Sequence, residues 1–302
     1  IIGAIEDHIK KALINLEIED IETIMIKLNS CIINNNSAKA AVDIAIYDLF
    51  GQLHNAPVYK LLGGHKKELI TDITISVNDP EEMAKDSIKA VNLGYKTLKI
   101  KVGKDAQKDI LRMQAIRDAI GYDIDLRIDA NQGWSPKEAV KAIRKMEDVG
   151  LNIEFVEQPV LAHDLIGFKH VTDNVDTLTL ADESVFSPQD ALKILQQRAA
   201  DIINIKLMKT GGIYNALKIT SIAEVYGVEC MIGCMLEAKV SVTAAVHLAA
   251  AKSIITKIDL DGPVLCSEDP IHGGAIFNQF KITLNNDSGF GVRKIDNIIY
   301  KD

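Results

Sequence analysis

The chain has 302 residues, 47% of them hydrophobic, with a formal net charge of −8. That length suits one large domain with part of another, and the acidic balance excludes a nucleic-acid binder that works by neutralising phosphates. No apolar run reaches about 18 residues, so no membrane span is expected, and Cys31, Cys230, Cys234 and Cys266 form no CxxC pair, which suits reduced thiols in a cytoplasmic protein.

Residues 1–67 read as helical. Ile1 to Ile18 and Ser37 to His54 both carry apolar positions at helical spacing, and Asn55-Ala56-Pro57 and Gly63-Gly64 close the region. The first residues carry acids early and lack the layout of a signal peptide. From 68 to 262, strands alternate with helices. The strands read as 70–77, 97–102, 125–129, 153–157, 178–182, 202–206, 228–233 and 256–261, and the helices start near Pro80, Asp105, Ser135, Asp164, Ser187, Gly212 and Glu237. Eight alternations imply a parallel sheet and favour closure into a (β/α)8 barrel. Residues 263–302 break the pattern: they hold glycines and one β-like run, FKITL, and read as a tail returning to the first region.

Charged residues punctuate the alternating region at a near-constant interval. Lys101, Asp129, Glu157, Asp182, Lys206 and Asp259 are separated by 28, 28, 25, 24 and 53 residues, the last gap being close to two periods. Each of the first five ends a β-branched, apolar run. In a barrel the C-terminal strand ends open onto one face, where active sites lie, so a fixed period gathers these groups into one pocket.

Several motifs now point to a family. SAKAAVDIAIYDLFGQLHNAPVYKLLGG, Lys99-Ile100-Lys101, Asp129-Ala130-Asn131, Glu157-Gln158-Pro159, Asp182-Glu183-Ser184 and Lys206-Leu207-Met208-Lys209-Thr210-Gly211-Gly212 occur in order. Together they resemble the mandelate racemase/muconate lactonizing enzyme family of the enolase superfamily, from about residue 37 to the end. The resemblance implies a modified TIM-type barrel under an α+β capping domain, one Mg²⁺ and an enolate intermediate; lysine or histidine bases beside Mg²⁺ are the general pattern of these sites. Residues 1–67 would be the helical part of the cap, 68–262 the catalytic barrel and 263–302 the segment returning to the cap. Nothing matches the strands and mobile loop with which the family's cap begins, so that N-terminal part is expected to be missing.

The chemistry can be argued residue by residue. Asp129, Glu157 and Asp182 end the third, fourth and fifth strands, which form one wall. An all-oxygen set without His or Cys suits a hard ion, Mg²⁺ or Mn²⁺; the plainer alternative is that each acid caps the next helix. Lys101 and Lys206 end strands half a turn apart, which suits two bases that invert one carbon, unless they only neutralise the acids. Lys99 shares the inward face of its strand with Lys101; its charge disfavours protonation of Lys101, and it is a candidate contact for a substrate carboxylate. Asn131 and Glu183 read as partners of the ligands, and His247, in an apolar helix, as a packed core histidine.

Asp259 and Asp261 alternate along the eighth strand, too far round the sheet to be metal ligands. A substrate ammonium would explain the pair, as would a salt bridge with Lys257 or Lys239. This Asp-x-Asp resembles the dipeptide epimerase branch, which implies a dipeptide with a free α-amino group, inverted at the C-terminal α-carbon. The branch's commonest substrate is L-Ala-D/L-Glu, which would connect the protein to murein peptide turnover. Cys234, Met235 and Leu236 could line the side-chain pocket or pack in the core; Thr74 and Ser76 are candidates for the substrate carboxylate. A cycloisomerase, or an o-succinylbenzoate synthase/N-acylamino acid racemase, shares the lysines and acids but leaves the aspartate pair without a purpose. A non-catalytic structural descendant would have lost a base or ligand. A homo-oligomer is expected from the barrel's exposed helices.

Overall fold

The computed structural model describes residues 1–64 and 66–298. Its backbone packs as two compact units: Ile1–Ile70 with Ile205–Ser221 and Ile232–Asp302, and Thr71–Asn204 with Ile222–Met231. The fold is an α/β barrel of the TIM type. A short strand β1 (Glu68–Ile70) precedes eight strands: β2 (Ile73–Ile75), β3 (Thr97–Lys101), β4 (Asp125–Asp129), β5 (Ile153–Glu157), β6 (Leu178–Ala181), β7 (Ile202–Ile205), β8 (Cys230–Gly233) and β9 (Ile255–Asp259). These eight lie in one sheet in sequence order, and the pairs from β2 to β7 are parallel.

The connecting helices begin close to where the sequence marks them. Asp105, Ser135, Asp164 and Ser187 each accept a backbone N–H in the first turn of their helix, and Ser135 forms a full capping box with Glu138. The helix Pro136–Asp148 buries Ala139, Ala142, Ile143 and Met146, the i, i+3, i+4, i+7 stripe of a surface helix.

Three expectations need correction. The run 70–77 is not one strand: β1 pairs antiparallel with β12 (Lys281–Thr283), and only β2 joins the barrel. The turn between them, Thr71-Asp72, is buried. The tail is more than one β run. Strand β11 (Ile276–Asn278) pairs with β12, and β10 (Ile271–Gly273) with β13 (Val292–Ile295). Strands of three or four residues are too short for alternation to show. The first helix is also shorter than Ile1 to Ile18. It is helical from Ile2 to Leu13, with a π segment at Ile5–Ile9, and Asn15 follows at φ +66°; a separate helix, Ile21–Ser30, is capped by Asp20. Among the described residues, no helix is long and apolar enough to cross a membrane.

In the first unit, His247 of the helix Lys239–Ala251 is packed in the core, as its apolar setting suggests. Its Nδ1 accepts the backbone N–H of Tyr59 at 3.1 Å, and its ring meets Tyr59 and Phe290 edge-on. Nδ1 as acceptor puts the proton on Nε2, which is buried without a hydrogen-bond partner. Burial lowers the imidazole from 6.5 to about 3. The fold therefore prefers neutral His247, so stability is fully present above the unfolded value and is lost as pH falls from about 6.5 towards 3. Chemical denaturation of wild type and His247→Gln, whose amide accepts the Tyr59 N–H without titrating, should give curves that diverge by about 4 kcal/mol by pH 3. Parallel curves would show that this imidazole carries no proton linkage.

Candidate active site

In the second unit, strand register assembles the acid wall. Lys101 lies opposite Asp129 and Asp129 opposite Glu157 on β3, β4 and β5, while Lys99 and Thr74 face each other one layer below. Asp182 follows β6 directly. Asp129, Glu157 and Asp182 are all buried, and Lys99 is 2% exposed. The Lys99 ammonium lies 3.0 Å from Asp129 Oδ2 and 2.8 Å from Glu157 Oε2, so its main contact is the acid pair itself. Lys101 Nζ, less buried, donates to Asp129 Oδ2 at 2.6 Å and to Asn131 Oδ1 at 3.0 Å. Burial alone would raise the Asp129 carboxyl, but Lys99 and Lys101 together hold it below the usual carboxylate range.

Side chains that the interval between strand ends passes over keep this wall in place. Asn204, two residues before Lys206 and buried, donates to Glu157 Oε1 at 2.8 Å. Gln158 ties two strand ends together: its Oε1 accepts the N–H of Asp182 at 2.9 Å and of Ser184 at 3.1 Å, while its Nε2 donates to Ser184 Oγ at 2.8 Å. Those bonds hold Gln158 at φ +38°, a left-handed conformation uncommon for a non-glycine residue. Asn131, at φ +42°, carries the chain on from Lys101 by donating to Glu183 Oε1 at 3.1 Å. Below the wall, Arg127 bridges Asp72 and Glu154, both at 2.7 Å, with its guanidinium 5.3 Å from the Phe155 ring centroid. The two-residue strand period that marks Lys99 also marks Asn204 and Arg127.

In the first unit, Lys206 follows β7 and heads the short helix Leu207–Thr210. Asp259 ends β9. Asp261 lies beyond the strand, in an αR turn that opens the helix Gly262–Leu265, so simple strand alternation does not describe the pair. Both are nonetheless buried and close enough to Cys234 that, after burial, they are the main causes raising its thiol. Lys239, one alternative partner for the aspartates, pairs with Asp269 at 2.5 Å. Leu236 is 85% exposed and Met235 43%, so neither is core packing. Glu237, marked in the sequence only as a helix start, accepts the N–H of Met235 at 2.8 Å; burial raises its carboxyl, and the Ser241 hydroxyl, the Met235 N–H and, after them, the Lys206 charge pull it back. Thr74 is half-buried on β2 and Ser76 exposed just beyond it.

The donors fit a hard cation. Among the described residues the acids do not form a ready-made metal shell, because Lys99 spans Asp129 and Glu157. Yet the set is entirely carboxylate oxygen. Glu183 beside it has a buried Oε2 with no hydrogen-bond partner, and burial, with Asp182 and Asp129 nearby, raises its carboxyl. A divalent ion held by Asp129, Glu157 and Asp182 would relieve that repulsion.

Comparison with known proteins gives the family. Residues 82–296 match the enolase C-terminal domain-like family, and residues 1–63 match the mandelate racemase/muconate lactonizing enzyme N-terminal domain. The chain belongs to the mandelate racemase/muconate lactonizing enzyme family of the enolase superfamily. It is 64% identical to the L-Ala-D/L-Glu epimerase of Clostridium acetobutylicum, over 98% of this chain and 82% of that protein. A substrate-liganded complex of the L-Ala-D/L-Glu epimerase from Bacillus subtilis matches with TM-score 0.95 at 50% identity, over 96% of this chain and 81% of that one. The dipeptide epimerase of Enterococcus faecalis, complexed with Mg and L-Leu-L-Tyr, matches with TM-score 0.92 at 47% identity, over 95% of this chain and 81% of that one.

Removing Lys99 tests the electrostatics of the wall. Lys99→Met leaves two buried carboxylates without their shared ammonium, a change that costs about 3–5 kcal/mol. Chemical denaturation in chelator should show that loss, and unchanged stability would mean that Lys99 is not their counter-ion.

Proposed function

We propose that the protein is a dipeptide epimerase, an isomerase that inverts the α-carbon of a dipeptide's C-terminal residue through an enolate, with Lys101 and Lys206 as the two bases. The observation that carries the reading is the placement of Lys101, whose ammonium reaches the same Asp129 oxygen as Lys99, beside the other carboxylates of the wall. When bound at Asp129, Glu157 and Asp182, Mg²⁺, or Mn²⁺ in its place, would supply positive charge for the substrate carboxylate as its α-proton leaves. Gln158 and Asn204 hold the acids, and Lys99 keeps two of them ionised. Lys101 exchanges a proton with one face of the α-carbon; Lys206, four strands further along the sheet order, serves the other. Each lysine acts as a base in one direction and as an acid in the reverse.

The substrate class rests on Asp259 and Asp261, two buried carboxylates that share the surroundings of Cys234 and suit a free α-ammonium group. It is also the class named for the relatives. Within it, L-Ala-D/L-Glu is the favoured substrate, with Cys234 and Leu236 near the bound dipeptide and Thr74 near its carboxylate. This reading assigns 1–67 to the cap, 68–262 to the catalytic barrel and 263–302 to a segment returning to the cap. It places a homo-oligomer in the cytoplasm, in murein peptide metabolism.

A panel of L-Ala-L-Xaa dipeptides in D₂O tests the reading, with mass gain read at the C-terminal residue. Wild type should exchange that α-proton from either stereoisomer, and activity should vanish in chelator and return with Mg²⁺. Turnover undiminished in metal-free buffer would remove the mechanism. Lys206→Ala should abolish epimerisation and leave exchange on one isomer; retained epimerisation would sink the two-base assignment. N-acetylation of the dipeptide should raise KM by roughly 30- to 1,000-fold, the loss of a charge-assisted contact worth about 2–4 kcal/mol. Asp261→Asn should show a similar loss on free dipeptides and a smaller one on acetylated ones. If hydrophobic or cationic C-terminal residues outrank Glu by about tenfold in kcat/KM, the L-Ala-D/L-Glu preference falls and the epimerase class stands.

A further inference from the structure

The helix Asn36–Leu53 carries a fully buried acid that the proposed chemistry does not use. Asp43 accepts the backbone N–H of Ile213 at 2.6 Å and of Tyr214 at 3.2 Å, one on each carboxylate oxygen. These are the first two residues of the helix Ile213–Tyr226. Burial raises the Asp43 carboxyl to about 7, against the pull of the two N–H groups. The approach is as close as the backbone allows. Gly212 sits at φ +114°, and a Cβ there would lie 2.2 Å from Asp43 Cγ.

Other bonds hold the same turn from the same side. Asn36 Nδ2 donates to the Lys209 carbonyl and Ser37 Oγ to the Met208 carbonyl, the latter at 3.4 Å. Asn215 Nδ2 donates to the Thr210 carbonyl at 2.8 Å and to Asn29 Oδ1 at 2.9 Å. The Lys206 carbonyl in turn accepts from Lys209 N–H at 2.9 Å and Thr210 N–H at 3.0 Å. The backbone from Lys206 to Tyr214 is thus one hydrogen-bonded turn, gripped at 208, 209, 213 and 214 by the helix Asn36–Leu53.

We propose that Asp43 is a positioning residue for Lys206: by fixing the turn that begins at Lys206, it sets the direction in which that lysine leaves the backbone. The proposal rests on the reading of Lys206 as one of the two bases. A carboxylate suits the place because its two oxygens satisfy two adjacent N–H groups at a helix N-terminus, where negative charge is favoured. Asn keeps one acceptor but turns an amide N–H against the second donor, and Ala keeps neither.

A role in Lys206 geometry differs from a role in folding because Lys206 serves only one face of the substrate. The test is α-proton exchange in D₂O, measured separately from the L,L and L,D dipeptides, for wild type, Lys206→Ala, Asp43→Ala, Asp43→Asn and Gly212→Ala. The isomer whose exchange disappears in Lys206→Ala is the one to follow. Asp43→Ala should slow exchange from that isomer by about 100-fold, the loss typical of a small misplacement of a reacting group, and leave the other isomer's rate unchanged. Asp43→Asn should fall between Asp43→Ala and wild type. Gly212→Ala, whose Cβ displaces the carboxylate, should reproduce the same one-sided loss. If Asp43→Ala does not fold, Asp43→Asn and Gly212→Ala carry the comparison. Equal slowing of both isomers, or a lower Tm with neither rate changed, would overturn the proposal. If Lys206→Ala itself fails to separate the isomers, the two-base reading falls and takes the proposal with it.

Discussion

A single buried ammonium makes the acid wall possible. Register on β4 and β5 sets Asp129 opposite Glu157, both fully buried, and two such carboxylates cannot both stay ionised without compensation. Lys99 lies within 3.0 Å of both. At an effective dielectric of about 20, each contact is worth about 6 kcal/mol before desolvation, enough to decide the charge state of the site. The layer below repeats the device with the same signs, one guanidinium, Arg127, between Asp72 and Glu154. The strands supply alternation and the ion pairs supply neutrality. A barrel interior filled only with branched apolar side chains could not present three acids at its mouth.

Much of this was legible because barrel chemistry is periodic. The interval between strand ends located Lys101, Asp129, Glu157, Asp182 and Lys206, and the capping residues Asp105, Ser135, Asp164 and Ser187 located the helices. What stayed hidden is local or long-range. The tail strands are three or four residues long, below the length at which alternation can be recognised, and they pair with partners chosen by tertiary contacts. β1 and β2 read as one strand because the β-like run continues through Thr71-Asp72, whose burial gives no sign of a turn. The sequence pattern carries β9 two residues too far, because Asp261 keeps the alternation while its backbone has already turned. Gln158 stands in a motif, but its role is hidden for another reason: it lies in a left-handed backbone and a web of hydrogen bonds, neither of which has a spacing.

The signature helix Asn36–Leu53 shows how a sequence motif becomes a mechanical part. Asp43 and Asp48 are five residues apart, which on a helix is about 140° of rotation, so they leave it on different faces. Asp43 receives the N–H groups that follow Gly212. Asp48 Oδ1 receives the Phe290 N–H, next to Gly289, at 2.7 Å. In each case the acid accepts from backbone just after a glycine with positive φ, at Gly212 and at Gly289, where a Cβ would lie 2.2 Å from the acid's own atoms. Gly51, one turn beyond Asp48, leaves room for the same Gly289 backbone: a Cβ on Gly51 would lie 2.6 Å from its Cα. The glycines and acids of this stretch therefore form matched pairs, each glycine clearing the space that its acid fills. One pair anchors the tail through Gly289. The other anchors the turn that starts at Lys206. A helix outside the barrel strands thereby fixes the backbone of the turn that Lys206 heads.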